Sequence, residues 1–498
     1  MNNSCKNLHQ QNLELSRQKR QFLRRDRGAR QVGAIAVMFA VLLIPVIALC
    51  GLAIDLGMVY ARKADMQSAA RAIALSAAGK LNGSAAGIDA AVIAAASVAA
   101  GMRFQNNTNN FAWSPTALKF AASPNSNADW MDSGSASASA ATVFYVKVDT
   151  MEMADAGTVG TAFMRILAPA FATVTVGSEV KAGRTSIDIM PLAVCAMSTA
   201  PATSRANPNS YLELVEYGFR RGISYDLMRL SPSSTTPLSY AINPIAAPGK
   251  TASGAGFSTD TLGPYTCRGR LGIPSVKGGT ISVSQPFPLA SLYRQLNSRF
   301  DQYEGNVCTP NGAPPDTNIK SYDFATLAWT NAQPSGQTAA ESISGTKLQT
   351  VAEVFPAVAA PAQFGPLWAY AKAVPYSSYQ AKPIEPSAGY TAFSTSAWQY
   401  LYNNQSAKTY PASLVPYRVS AVGANFAKPS AEHAPGVRNR RILNVPLLDC
   451  SSTPSDAATV LGIGRFFMTV PATDKVLAAE FGGAFQPDQI TGNVGIFE

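Results

Sequence analysis

Few residues in this sequence have the type and spacing that chemistry requires. Between residue 55 and the C-terminus there is one histidine, His433, set in a polar AEHAPG stretch, and no serine lies in a G-x-S-x-G elbow. Neither a nucleophilic triad nor a His-based zinc site is therefore expected, and His433 reads as a surface loop residue with no partner visible in the sequence. Gly462-Ile463-Gly464 leads into Arg465-Phe466-Phe467 without a third glycine, so it reads as the start of a strand rather than a phosphate cradle, and no complete Walker A or EF-hand loop occurs. Asp132-Ser133-Gly134-Ser135 comes nearest to an acidic metal loop, but a hard cation needs several converging oxygens that this polar stretch does not itself supply. The expectation is no catalytic residue, no metal ligand, no cofactor and no small-molecule substrate. Two aromatic passages, Trp368, Tyr370, Tyr376 and Tyr379, then Trp398, Tyr400 and Tyr402, suit a sugar- or protein-binding face and suit core packing equally.

Cysteine chemistry is more informative. Cys195, Cys267, Cys308 and Cys450 are widely spaced and form no CxxC pair, which is unlike zinc or thioredoxin usage and agrees with an oxidising compartment. Three pairings are open. Cys195 with Cys450 is favoured because both end similar apolar strands, and Cys267 with Cys308 because both are read as loop residues; buried free thiols are the alternative.

The elements that carry these residues begin with an anchor. Val32 to Ile54 is a run of 23 residues without a charge, and about 20 are enough to cross a bilayer as a helix. Six of the ten net positive charges fall within residues 1–31, so no general basic surface for nucleic acid is implied. Arg24, Arg25, Arg27 and Arg30 stand immediately before the apolar run, Asp55 ends it, and only Arg62 and Lys63 follow soon after. By the positive-inside rule this places the N-terminus in the cytoplasm and the bulk of the chain on the far side. A cleaved signal peptide needs a shorter apolar stretch, and the Leu before Cys50 suits lipoprotein processing poorly. Pro45 is a candidate kink.

Beyond the anchor, Asp55 to Ala78 is Ala-rich, lacks proline and keeps helical spacing, so the membrane helix is expected to continue outward as a rod before Gly79 and Asn82-Gly83 end it. A second Ala-rich helix is expected over about Ile88 to Met102. Thr142–Val148 and Thr173–Lys181 alternate as strands, with a short apolar helix or turn over Phe163–Phe171 between them. Ile187–Cys195, Arg441–Cys450 and Ile463–Val470 are near-continuous apolar runs that suit the buried centre of a sheet. The organisation read from this is a basic tail (1–31), a transmembrane anchor (32–54), a helical extension (55–80), a small α+β domain (81–183) and a larger, insertion-rich sheet domain (184–498). The fold class is α+β, with α/β left open for the C-terminal body.

Residues with a more specific order run through the anchor: Arg27-Gly28-Ala29, Ala34 to Ala40 (AIAVMFA), Pro45, Gly51 to Gly57 (GLAIDLG) and Gln67 to Ala72 (QSAARA). This segment resembles the N-terminal module of the TadE/TadG-like proteins of the Tad (tight adherence, Flp) pilus system, and the tail (RRILNVPLLDC, GIGRFFMTVP, AAEFGG) resembles the C-terminal part of the longer TadG-like members. The resemblance implies an inner-membrane component of a pilus assembly and secretion apparatus, used by bacteria in adherence and biofilm formation. Two departures limit the transfer. Longer members carry a von Willebrand A metal site beginning D-x-S-x-S, where this chain has Asp188-Ile189-Met190-Pro191-Leu192, so no metal ligands carry over. Minor pilins of the system need Gly followed five residues later by Glu; here Gly28 is followed by Gly33 and Gly33 by Met38, so no prepilin cleavage is expected.

The function expected is thus structural and non-enzymatic. Its partners are the lipid bilayer and other Tad pilus or secretion proteins, with lateral helix packing through the small residues Ala53 and Gly57. The alternatives are an exported adhesin or carbohydrate-binding module using the aromatic insertions, and a membrane-anchored periplasmic hydrolase, which an acid paired with His433 would favour.

Overall fold

The longest element, helix α1, runs from Ser4 to Ala78, 75 residues, and so spans about 110 Å at 1.5 Å per residue. The computed structural model describes residues 4–497 except 105–107, 126–128, 154–156, 251–253, 306, 324–339, 343–346, 351–368, 402–414, 420–422 and 486–488; side chains are also left aside for 4–35, 167, 340–342, 395, 398–399 and 418–419. The helix is thus not confined to the apolar run and its extension: its backbone is already helical through the basic tail, and it continues through Pro45. It ends where glycine removes the incentive to continue, with the Gly79 amide closing on Leu75. Asn82 and Ser84 then start α2 (Ala85–Gly101): Asn82 Oδ1 accepts from the Ser84 amide at 3.0 Å, and Ser84 Oγ accepts from the Gly87 amide at 3.1 Å, an N-cap that the Asn-Gly signal alone does not specify.

The chain forms two compact units that do not follow chain order: one comprises residues 1–70, 99–117 and 149–179, the other 71–98, 118–148 and 180–498. In the first unit, strands Thr158–Gly160 and Thr173–Thr175 pair antiparallel, and the chain between them makes a helical turn (Met164–Leu167) and a 3₁₀ turn (Pro169–Phe171). The expected strand Thr173–Lys181 is therefore two, because the backbone breaks between Thr175 and Glu179 and the second strand, Glu179–Arg184, joins another sheet. That four-stranded sheet orders Val494–Phe497, Glu179–Arg184, Tyr145–Asp149 and Leu118–Ala121, so the last strand of the chain returns to pair with residues 181–184. Asp132 sits nearby as the N-cap of a short helix (Ser133–Ala138), its carboxylate accepting from the Ser135 amide at 2.8 Å.

The second unit is organised by eight strands: β1 (Leu192–Cys195), β2 (Ser224–Asp226), β3 (Ser239–Ile242), β4 (Ile281–Ser284), β5 (Ile442–Leu448), β6 (Ala457–Ala458), β7 (Val460–Met468) and β8 (Ala478–Ala484). Their order in the sheet is β2-β8-β7-β5-β1-β3-β4-β6, and every pairing is antiparallel except β5 with β1. This is an α+β arrangement rather than the α/β alternative, which requires strand–helix–strand crossovers. Both faces are covered. Leu192 and Val194 join one core cluster with Phe466 and Phe481, while Ala193 and Cys195 join another with Tyr240 and Ile463, so period-two alternation puts apolar residues at every position of β1. Helices α3 (Thr259–Arg268) and α4 (Leu289–Asn297) add Leu262, Leu292 and Leu296 to the first cluster.

Two disulfides tie the insertions to this frame. Cys195–Cys450 joins the adjacent ends of the parallel pair β1 and β5, and Cys267–Cys308 holds the loop after α4 against α3. Cys267 lies in the last turn of α3 and not in a loop as the sequence suggested. A further pin is Arg441, fully buried between Phe300 and Phe467, whose guanidinium donates to the carbonyls of Asn318, Lys320, Met468 and Thr469. Burial pulls its pKa down to about 10, yet it remains cationic at neutral pH. Asp316 completes the joint by accepting from the Arg441 amide at 3.0 Å and from the Tyr417 hydroxyl at 2.9 Å.

Candidate functional site

The most distinctive polar geometry lies at the end of the apolar segment. Val37, Phe39, Val41, Ile44 and Leu49 are all more than half exposed, so α1 presents an apolar surface that the described residues leave largely uncovered. Burial begins at Gly51 and Asp55, one helical turn apart on the same face. The tip of the hairpin at residues 162–172 meets that face. Asp55 Oδ1 accepts from the Ala162 amide at 2.9 Å, and Oδ2 accepts from the amides of Phe163 and Met164 at 2.8 and 2.6 Å. Burial raises the Asp55 carboxyl, but the amides of Met164, Ala162 and Phe163 and the Arg165 charge outweigh it and hold the group below its ordinary value of 3.8.

Gly51 is the steric half of the clasp. A Cβ there would lie 2.3 Å from the Phe163 ring, so only glycine lets that ring rest on the helix backbone. Ile44, Ile47, Ala48 and Leu52 of α1, with Phe163 and Ile166 of the tip, line an apolar crevice of about 200 Å³. Further along the same face, Arg62 is buried with its guanidinium 4.2 Å from the centre of the Phe104 ring, itself packed against Phe111. Sequence reasoning used Asp55 only as the end of the span. A lone acid following an apolar run, with glycine four residues before it, was the available signal; its partners are backbone amides 107 to 109 residues away, which leave no mark on side-chain pattern.

Other residues singled out by type fall as follows. Ala53 and Gly57 are exposed on α1, and nothing lies within 4 Å of a Cβ built at Gly57, so their small-residue face is open in this chain. Cys50 is a free, exposed thiol. Arg24, Arg25, Arg27 and Arg30 lie on the α1 backbone, but their side chains are outside the described residues. Asp188 forms an ion pair with Arg270 at 2.5 Å, which accounts for its carboxylate where the metal motif would begin. Tyr370 is buried and stacked on Phe467 at 5.0 Å, Tyr376 stacks on Tyr379 at 6.1 Å and Tyr400 packs beside Tyr211. Trp368 and Tyr402, and the Trp398 side chain, lie outside the described residues.

His433 does have a partner, contrary to its reading as an isolated loop residue: Nδ1 lies 2.5 Å from Asp301 Oδ1, and Tyr303 packs edge-on against the ring. Ser430 is also near, but its Oγ approaches the same Nδ1 at 3.1 Å, and its amide donates to Asp301 Oδ2 at 2.6 Å. A serine nucleophile needs the opposite ring nitrogen, so this trio clips a loop and does not prime a hydroxyl. Elsewhere in the body, Arg221 bridges Glu216 and Glu385, and Arg465 reaches Glu385 at 2.9 Å, along a polar cleft of about 260 Å³. Burial raises the Glu385 carboxyl, and Arg221 and Arg465 more than reverse this, leaving it ionised. Glu385 in this cleft is thus met by two arginines.

No curated protein and no solved structure compared with the chain matches it. Residues 33–80, which carry Gly51, Ala53, Asp55 and Gly57, match the family model described as putative Flp pilus-assembly TadE/G-like, so the helical half of the clasp lies in a TadE/G-like segment.

Proposed function

We propose that this protein is a non-enzymatic component of a Tad (Flp) pilus assembly and secretion apparatus, acting in adherence and biofilm formation. It is anchored in the bacterial inner membrane by residues 32–54, with its N-terminus cytoplasmic and its body periplasmic, and it works through contacts with other pilus proteins. The observation that carries this reading is the TadE/G-like match at 33–80 falling on a helix whose apolar side chains and small-residue face at Ala53 and Gly57 are uncovered. A helical stretch that leaves as much apolar surface bare as residues 37–49 do requires a different solvent, and the bilayer together with neighbouring helices supplies one. The basic residues of 1–31 support the orientation, and the two disulfides support an oxidising compartment for the body.

A non-enzymatic role is supported by the way charged groups in the body close on one another, including the His433–Asp301 pair that engages Ser430 through the wrong nitrogen for catalysis. The test is a photoreactive residue placed at Ala53 or Gly57 in cells that make the pilus. Crosslinks to other pilus or secretion components, and loss of pili on deletion, are expected. Recovery of none of these, with pili formed normally in the deletion strain, rules the reading out.

A further inference from the structure

We propose that the hairpin tip, residues 162–171, is a second membrane contact that inserts Phe163, Ile166 and Phe171 among the acyl chains of the outer leaflet beside α1. The proposal rests on the reading of residues 32–54 as a membrane span. Three observations carry it, beginning with continuity. Phe163 and Ile166 share their crevice with Ile44, Ile47, Ala48 and Leu52, all inside the apolar run, and Ile47 lies about 12 Å from Asp55 along the helix. If those α1 positions are in hydrocarbon, whose core is about 30 Å thick, so are the tip side chains beside them.

The second observation is exposure. Ile166 is 76% exposed and Phe171 50%, in a tip (AFMRILAPAF) whose single charge, Arg165, is also exposed and can reach the headgroups while its stem stays apolar. The third is the backbone. Irregular chain enters hydrocarbon only with its polar groups paired. Here most of the tip's amides are held: those of Ala162, Phe163 and Met164 by Asp55 and those of Ile166, Ala168, Phe171 and Ala172 by carbonyls of the tip itself, while Pro169 has no amide to satisfy. Asp55 then has a definite task at the boundary, which is to neutralise the leading amides of a segment entering lipid.

The test uses the full chain in vesicles of phosphatidylethanolamine and phosphatidylglycerol. Cys5 and Cys50 are replaced by Ser, and single spin labels are placed through Phe39→Cys, Ile166→Cys or Ser455→Cys. Collision with oxygen, which concentrates in lipid, is compared with collision with a water-soluble nickel chelate. The oxygen-to-nickel ratio at 166 is expected to match that at 39 and to exceed that at 455. Asp55→Asn is expected to lower it at 166 and leave it unchanged at 39. A ratio at 166 equal to that at 455, with 39 still in lipid, overturns the proposal alone. Nickel access at both 39 and 166 overturns the anchor as well. A label at 166 shielded from both reagents shows a protein partner, such as a second copy, instead of lipid, and an unchanged ratio in Asp55→Asn removes Asp55 from the seating of the tip.

Discussion

Two carboxylates in this molecule do the same backbone chemistry in opposite surroundings. Glu480 on β8 is fully buried and accepts from three consecutive amides, Ala369 at 2.7 Å, Tyr370 at 2.9 Å and Ala371 at 2.7 Å. Asp55 on α1 is equally buried and accepts from Ala162, Phe163 and Met164. What differs is the fate of the side chains that each captured segment carries. Beside Glu480, Tyr370 is sealed against Phe467 and Tyr417. Beside Asp55, Ile166 and Phe171 stand out from the protein, next to an apolar helix that is equally bare. The first clasp closes on side chains sealed in the core, and the second on side chains that the described residues leave exposed.

The comparison makes graded predictions. Glu480→Ala strands two buried amides and one half-buried one and is expected to cost about 3–5 kcal/mol of body stability, seen as a lower unfolding midpoint in detergent, whereas Asp55→Ala leaves that midpoint in place. Equal drops would erase the distinction. Tyr370→Ala, which opens a cavity against Phe467, is expected to cost about 3 kcal/mol, and Ile166→Ser close to nothing in the same assay. A large loss for Ile166→Ser would mean that its side chain is covered by protein.

Smaller, local effects belong to the Asp55 side. Gly51→Val drives a side chain into the Phe163 ring and is expected to undock the tip, so that trypsin cuts after Arg165 faster while the body resists as before; unchanged cleavage would show that the ring is not held there. Lowering pH gives the mildest test. The folded Asp55 carboxyl lies below 3.8, so its contribution is fully present above that value and is lost as pH falls through the lower, folded one. A spin label at 166 should keep constant mobility down to about pH 4 and loosen only below it. Loosening near neutrality would assign the docking to another group.

The legible parts of this fold were those that repeat. Near-continuous apolar runs mark β1, β5 and β7 because a strand covered on both faces has few polar positions, here only the half-buried Asn444 and Arg465, and the end of α1 is marked by Gly79. The helical state of the basic tail was not legible, because Gly28, Gly33 and a row of arginines carry no core-facing pattern. Strands β3 and β4 have four residues each, too short for a period to emerge. Both clasps were hidden for a deeper reason: their donors are backbone amides from residues 107 to 111 positions distant, and any residue except proline supplies the same group. The aromatic residue Tyr370, open to either a binding face or the core, belongs to the core because the amide beside it is fixed by Glu480.

The measurement that bears most directly on a single-pass anchor with its body outside is proteolysis of spheroplasts making the full chain with an epitope tag at each end. The expected result is loss of the C-terminal tag, with the N-terminal tag retained on a fragment that stays in the membrane after alkaline carbonate washing. Survival of the C-terminal tag in sealed spheroplasts, or release of the N-terminal fragment by carbonate, would contradict the anchor and every contact assigned to it.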